Sequence, residues 1–264
     1  MSQSVWRLII ILLFSFIFFQ DWCLGQIVNV AQIANRDVKE GFSLSTDLSW
    51  ERKQGNIDLS VLTAKATSFY RHSDHLLLLI LEREYGVQNS SALSDRAFQH
   101  LRYRYQWLER VTLETFAQHD RNQFRRLKSR TLIGAGPRFQ ILATENHLLH
   151  LGLAPMKEIE VFEEASTLTD EPLVSKRQED IRLSLSLGYH FNLAENLSFS
   201  NTGYWQPLAD DLDIYRLLND AALTIQITEI LALRFSATLT HDTNPPPGIR
   251  QTDHHYKNAL VINF

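Results

Sequence analysis

Apolar and polar side chains alternate with a period of two in segment after segment of this sequence. In residues 180–191, Ile181 and Leu183 fall on one parity, whereas Arg182 and Ser184 fall on the other. Successive side chains of a β-strand point to opposite faces, so each segment predicts a strand with one apolar and one polar face. Twelve segments are predicted to be strands: 42–51, 56–69, 75–85, 97–107, 110–118, 125–142, 147–154, 180–191, 196–207, 214–227, 230–242 and 254–264.

The connections between these segments fall into two length classes. Tight connections occur at 71–74, 108–109, 144–146, 194–196 and 228–229. Longer ones alternate with them, at 86–95, 119–123, 156–176, 207–213 and 244–253; only the first of this set, at 52–55, is short. Barrels of the outer membrane segregate short turns to one end and longer loops to the other. The predicted fold is all-β: a single antiparallel up-and-down transmembrane β-barrel of about 12 strands. A soluble β protein with one solvated face would show the same alternation and remains the alternative.

Charged residues at mid-strand fall on the polar parity. In a membrane barrel this parity faces the lumen, because lipid cannot solvate charge. The predicted lumen charges are Arg102, Arg104, Arg110, Glu114, Lys128, Arg130, Arg182, Arg216, Asp220 and Arg234. They would form either a selectivity field for small anions or a salt-bridge network that fills the barrel and stiffens it. Twelve strands lie between filled eight-stranded barrels and open sixteen-stranded porins, and the filled lumen is slightly favoured.

The start of the chain predicts export. Arg7 precedes the twelve-residue apolar run LIIILLFSFIFF, and small or polar residues follow. This pattern predicts a secretory signal peptide over residues 1–25, with an uncleaved anchor as the alternative. A periplasmic N-terminal segment over 26–39 and a barrel domain over 40–264 are expected to follow.

The chain has one cysteine, within the predicted signal peptide. Its net charge of −4, from 26 basic and 30 acidic residues, argues against nucleic acid as a partner.

Histidine and aspartate residues collect at the predicted loop ends. His241, Asp242, Asp253 and His255 flank one hairpin and are weak candidates for a hydrolytic site at the rim. A solvated, hydrogen-bonded loop edge is the favoured interpretation, because neither GxSxG nor HExxH is present. The glycine-rich stretch at 134–138 lacks the features of a phosphate loop and is expected to ease strand bending or leave lumen space. No cofactor and no metal site are predicted.

Several stretches resemble a known family. They are GN at 55–56, RYRYQW at 102–107, ETFAQHDRNQFRRLKSRTLIGAGPR at 114–138, NTGYWQP at 201–207 and HDTNPPPGIRQTDHHYKNALVINF at 241–264. Together they resemble the YdiY-like family of salt-induced outer-membrane proteins, a domain of unknown function. The resemblance implies an outer-membrane location and lipid and the barrel-assembly machinery as partners, with Phe264 as the assembly signal. It brings no catalytic residues.

The expected function is therefore a structural or stress-related envelope barrel, or one that passes small solutes. An outer-membrane hydrolase and a soluble periplasmic β protein remain alternatives. The sequence leaves the oligomeric state open.

Overall fold

A computed structural model describes residues 40–53, 59–88, 91–122, 127–164, 174–245 and 250–263. Residues 1–39, which hold the predicted signal peptide and the predicted periplasmic segment, lie outside the described residues, and so does Phe264. The described part of the chain forms twelve strands: β1 (Gly41–Lys53), β2 (Leu59–His72), β3 (His75–Gln88), β4 (Ser91–Leu108), β5 (Val111–Asn122), β6 (Leu127–Ala143), β7 (His147–Glu164), β8 (Val174–Ala194), β9 (Leu197–Pro207), β10 (Tyr215–Gln226), β11 (Leu231–Asp242) and β12 (Thr252–Asn263).

The strands form one closed barrel. Each strand pairs antiparallel with its neighbours along the chain, and β1 pairs with β12, with Leu48 opposite Leu260. The predicted up-and-down barrel of about 12 strands is confirmed. Within the described residues, no helix is long and apolar enough to cross a membrane.

The two ends of the barrel differ in their connections. At one end, called the short-turn end, the strands are joined by residues 73–74, 109–110, 144–146, 195–196 and 227–230. At the other, called the long-loop end, the connections are 54–58, 89–90, 123–126, 165–173, 208–214 and 243–251. The predicted segregation of loop lengths therefore holds in the main.

Two of the loops predicted at the long-loop end are longer than the loops in the structure. The residues predicted as a loop at 86–95 belong mostly to β3, which continues to Gln88, and to β4, which begins at Ser91. In the predicted loop 156–176, β7 continues to Glu164 and β8 begins at Val174. Strand pairing uses backbone groups, so a ladder can extend past the point where the outer face stops being apolar. The hydrophobic pattern then understates strand length.

Side-chain exposure follows the predicted parity. On β8, Leu185 and Leu187 are exposed on the outer surface, whereas Arg182 and Ser184 are buried towards the lumen. On β12, Tyr256 and Leu260 are exposed and Val261 is buried. The outer face is thus the apolar one, as a lipid-facing surface requires.

One wall of the lumen is apolar, which the alternation does not predict. Phe69 on β2, Leu76, Leu78 and Ile80 on β3, and Phe98 on β4 form a buried cluster. The sequence of β3 is apolar on both faces at its start, so one set of leucines faces out and the other faces in. Hydrophobic packing therefore fills the lumen beside β2–β4.

The glycines of β6 allow close packing. A Cβ at Gly136 would overlap the backbone of Leu153 and Ala154 on β7, and one at Gly134 would overlap the ring of Phe116. Both glycines therefore leave room for neighbouring groups, and Gly136 permits a close approach of two backbones.

Candidate functional site

The charged lumen is the candidate site. The predicted lumen charges that face inward, with side chains buried or nearly so, are Arg102, Arg104, Glu114, Arg130, Arg182, Arg216, Asp220 and Arg234. They group into two main clusters at different heights along the barrel axis. One of them draws on strands that are not all adjacent, so some of its side chains cross the lumen, whereas the other lies on three neighbouring strands.

Two of the predicted lumen charges lie elsewhere. Arg110 is exposed in the turn at 109–110, because β4 ends at Leu108. Lys128 is exposed on the outer surface, because the ladder between β6 and β7 is irregular between Leu127 and Ser129. A bulge inserts one extra residue and reverses the parity beyond it. The strict alternation assumed for β6 therefore fails at this end.

The first cluster, called the long-loop cluster, consists of Arg130, Glu158, Glu160, Arg182, Arg216 and Asp242. Glu158 lies at its centre: Oε1 accepts from Nε of Arg130 at 2.5 Å and from Nη1 of Arg216 at 2.6 Å. Its other oxygen, Oε2, accepts from Nε of Arg182 at 2.5 Å. One carboxylate on β7 thus holds guanidinium groups from β6, β8 and β10.

Arg216 completes the long-loop cluster. Besides contacting Glu158, it donates from Nη2 to Oε2 of Glu160 at 2.9 Å and from Nε to Oδ2 of Asp242 at 3.0 Å. The six side chains are at most 4% exposed. Three cations and three anions balance in charge, which is what allows so many charges to be buried together.

The second cluster, called the short-turn cluster, consists of Arg102, Arg104, Glu114 and Arg138. Arg102 donates from Nη1 to Oε2 of Glu114 at 2.8 Å. Arg104 and Arg138 approach Oε1 of the same carboxylate, at 2.6 and 3.6 Å. Glu114 thus organises three arginines from β4 and β6.

A polar chain extends from the short-turn cluster towards the long-loop end. Arg102 donates from Nε to Nε2 of His100 at 3.3 Å, so Nδ1 of His100 donates to Oε1 of Gln118, also at 3.3 Å. Gln118 in turn donates from Nε2 to Oδ2 of Asp120 at 3.0 Å. The rings of His100 and Phe116 stack, with centroids 5.9 Å apart. Adjacent strands β4 and β5 therefore carry a continuous inward row of hydrogen bonds.

Smaller pairs occupy the remaining strands. Arg234 on β11 donates from Nη1 to Oδ2 of Asp47 on β1 at 2.7 Å. Asp220 accepts from Oγ1 of Thr238 at 2.7 Å. Glu82 on β3 lies 3.5 Å from Arg96 and 3.9 Å from Lys65. Ion pairs thus line the lumen on the side away from the main clusters as well.

The predicted rim residues do not assemble into one site. His241 is on the outer face, where Nδ1 lies 2.8 Å from Oγ1 of Thr252. Asp242 points the opposite way and is buried against Arg216. Asp253 and His255 share the inward parity of β12 with the buried Ala259 and Val261. His241 is therefore separated from the other three candidates by the barrel wall.

The sequence pattern did not predict the three carboxylates of the long-loop cluster as lumen charges. Glu158 and Glu160 lie in 156–176, which was predicted to be a loop, and Asp242 was assigned to the rim. A signal was nevertheless present. In KEIEVFEE, Glu158 and Glu160 alternate with Ile159 and Val161, which is the same period of two with charges on the inward parity.

Strand number, closure, an apolar outer face and a charged interior together define a barrel of the outer-membrane type. The translocator domain of the autotransporter NalP from Neisseria meningitidis shares this fold, with 11% identity, a TM-score of 0.50, and coverage of 89% of this chain and 92% of that one. Also similar are the NanC porin (10% identity, TM-score 0.46, 84% of this chain and 98% of that one) and an outer membrane channel from Pseudomonas putida F1 (10%, 0.47, 86% and 97%).

Residues 46–264 match the family described as "Protein of unknown function, DUF481", and the chain belongs to that family. The resemblance to the YdiY-like family is thereby confirmed, because the two are the same family. A search of curated proteins found no match.

Proposed function

We propose that this protein is an outer-membrane barrel with a structural role in the envelope, whose lumen is closed to general solute diffusion by buried ion pairs. The observation that carries the proposal is the bonding of Arg216 on β10 to Glu158 and Glu160 on β7. These strands are separated by β8 and β9, so the contacts cross the interior rather than follow the wall.

The burial of the charges favours a filled lumen over a selectivity field. A selectivity field needs charged side chains that water and ions can reach. In the long-loop cluster the side chains of Arg130 and Glu158 are 0% exposed, and that of Arg216 is 4% exposed. The apolar cluster around Leu78 and Ile80, at 1% and 0% exposure, fills another part of the lumen.

The proposed placement follows from the two ends of the barrel. Short turns face the periplasm and longer loops face outside in barrels of this class. An outer-membrane location implies contact with lipid and insertion by the barrel-assembly machinery, and these are the proposed partners. Membrane fractionation tests this placement: the protein should sediment with the outer membrane and migrate differently before and after heating. Recovery in a soluble fraction without detergent would overturn the proposed location.

Conductance across planar bilayers tests the closed lumen. We expect the wild-type protein, inserted and heat-modifiable, to show no steady open-channel current. Replacing both central partners, Glu158→Ala with Arg216→Ala, should produce a steady current, because the cross-lumen bridge is removed. The matched control is Glu179→Ala with Arg177→Ala, an exposed pair joined at 2.7 Å outside the lumen; it should stay closed. A porin-like current through the wild-type protein would refute the proposal.

A further inference from the structure

Basic side chains face outward on β3, β5 and β6 near the long-loop end. Arg83 and Arg121 contact the carboxylate of Asp95 on β4, and together with Lys128 they define the outward basic patch. Nη2 of Arg83 lies 2.5 Å from Oδ1 of Asp95, and Nη2 of Arg121 lies 2.9 Å from Oδ2. Each oxygen of one carboxylate therefore orients one guanidinium group.

Strand register places the basic groups side by side. Arg83 and Arg121 are both paired with Ala97, from opposite sides of β4. The ladder between β5 and β6 is irregular beside Arg121, and the ladder between β6 and β7 is irregular at Lys128. The second irregularity turns Lys128 outward, onto the strand next to Arg121. The bulge that changes the parity of β6 thus adds Lys128 to the patch as a third cation.

The patch lies in the part of the apolar outer band nearer the long-loop end, with Arg83 between the exposed side chains of Leu81 and Tyr85 on β3. Leu81, two residues from Arg83 along β3, is 45% exposed, and Leu101 and Ile133 on neighbouring strands are 46% and 59% exposed. Outward arginine or lysine costs about 2–4 kcal/mol at the bilayer midplane but only about 0–1 kcal/mol near the interface. The patch therefore marks the level of the lipid headgroups.

Charge and exposure make the patch suited to an anion. Two arginines share one carboxylate and Lys128 lies on the next strand, so the patch carries an excess of positive charge. The side chains of Arg83 and Arg121 remain 54% and 50% exposed while they contact Asp95. Guanidinium groups bind phosphate oxygens through paired, charge-assisted hydrogen bonds, and a lysine adds a point charge.

We infer that the outward basic patch binds a phosphate group on the headgroup of an anionic lipid in the outer leaflet. The inference rests on the proposed outer-membrane location. Asp95 is a positioning residue in this site, because each of its two oxygens contacts one of the arginines. The continuity of the patch with the apolar band below it fits a lipid, whose acyl chains would lie against Leu81 and Leu101.

Lipid binding by the purified, folded barrel in detergent tests the inference. The probe is lipid A carrying its two phosphates, and the readout is the rise in the midpoint of heat-induced unfolding, since a ligand of the native state stabilises it. Arg83→Gln with Arg121→Gln should weaken the apparent affinity roughly tenfold. The matched control is Arg71→Gln with Arg110→Gln, which removes two exposed charges at the short-turn end and should leave the affinity unchanged.

Three outcomes are decisive. An affinity unchanged by the Arg83 and Arg121 replacements overturns the inference, and so does an equal loss in the control, which would show a general charge effect. A comparable rise in the unfolding midpoint with inorganic phosphate alone would assign the site to a free anion and overturn the proposed lipid ligand. These results differ from failure of the proposed location, in which no heat-modifiable barrel would be recovered from membranes at all.

Discussion

Arg216 and Glu158 meet at 2.6 Å across the lumen, although two strands of the barrel wall separate β10 from β7. The pair is part of a balanced set of three arginines and three carboxylates that is almost inaccessible to water. Such a set stabilises the fold only while every charge keeps its partner, because an unpaired buried charge is costly. The stability of the barrel should therefore depend strongly on Glu158, which holds three of the contacts.

Replacing Glu158 by glutamine should destabilise the barrel markedly. The variant keeps the shape of the side chain but leaves Arg130, Arg182 and Arg216 without their shared negative charge. Breaking a buried pair costs about 3–5 kcal/mol, measurable as a lower free energy of unfolding in lipid vesicles. Glu179→Gln is the matched control, because Glu179 bonds Lys157 and Arg177 on the surface; it should change little. Equal stability of the two variants would contradict a structural role for the long-loop cluster.

Gly136→Ala should also destabilise the protein, through the backbone. The new Cβ would overlap the carbonyl of Leu153 on the adjacent strand, and backbone cannot move aside as a flexible side chain can. Forcing extra atoms into a packed site costs typically about 1–3 kcal/mol. Gly203→Ala is the control, since a Cβ there would have its nearest contacts at 3.9 Å. Unfolding by denaturant compares the two, and an equal midpoint for both would refute the close approach of β6 and β7.

Most of the fold could be predicted because lipid imposes a strict rule on one face of each strand. Residues such as Leu183 and Leu233 must be apolar, and the rule repeats every second position. The pattern fails where that rule stops. On β7 the exposed Lys157 interrupts the apolar outward parity before Ile159 and Val161 resume it, so the sequence places the end of β7 at 154 instead of Glu164.

The candidate site was less predictable than the fold. Parity assigns a charged residue to the lumen but says nothing about its partner, which depends on strands far apart in sequence, such as β7 and β10. Lys128 shows a second limit, because a bulge is a local insertion that a regular alternation cannot anticipate. Arg110 shows a third limit, because the alternation of a strand can continue in sequence through the turn that ends it, and a turn residue is then assigned to the lumen.

Spin labels at Leu183 and Leu233 test which face contacts lipid. Both side chains are 36% exposed on the outer surface, so labels there should be accessible to membrane-dissolved oxygen and shielded from a water-borne quencher. A label at Ser184, the buried inward neighbour, is the control and should be shielded from membrane-dissolved oxygen. Single cysteines can be introduced cleanly, since the chain has one cysteine and it lies in the predicted signal peptide. Water-accessible labels at both leucines would reverse the assigned faces.

Two histidine–tyrosine pairs lie on the outer face at the short-turn end, and a double-mutant cycle can test whether they act as units. Nδ1 of His75 lies 2.7 Å from the hydroxyl of Tyr103, and His147 meets Tyr189 at the same distance. Each histidine begins its strand, and each tyrosine lies on the following strand. Aromatic side chains with a polar tip suit the boundary between lipid and water.

The cycle combines His75→Ala with Tyr103→Phe and measures unfolding free energies in vesicles. A hydrogen bond of this kind contributes about 0.5–1.5 kcal/mol, so the double variant should be less destabilised than the sum of the single ones by that amount. His75→Ala with Tyr189→Phe is the control, because these residues belong to different pairs; their effects should add within about 0.3–0.5 kcal/mol. Additive effects for His75 and Tyr103 as well would mean that their contact contributes nothing to stability.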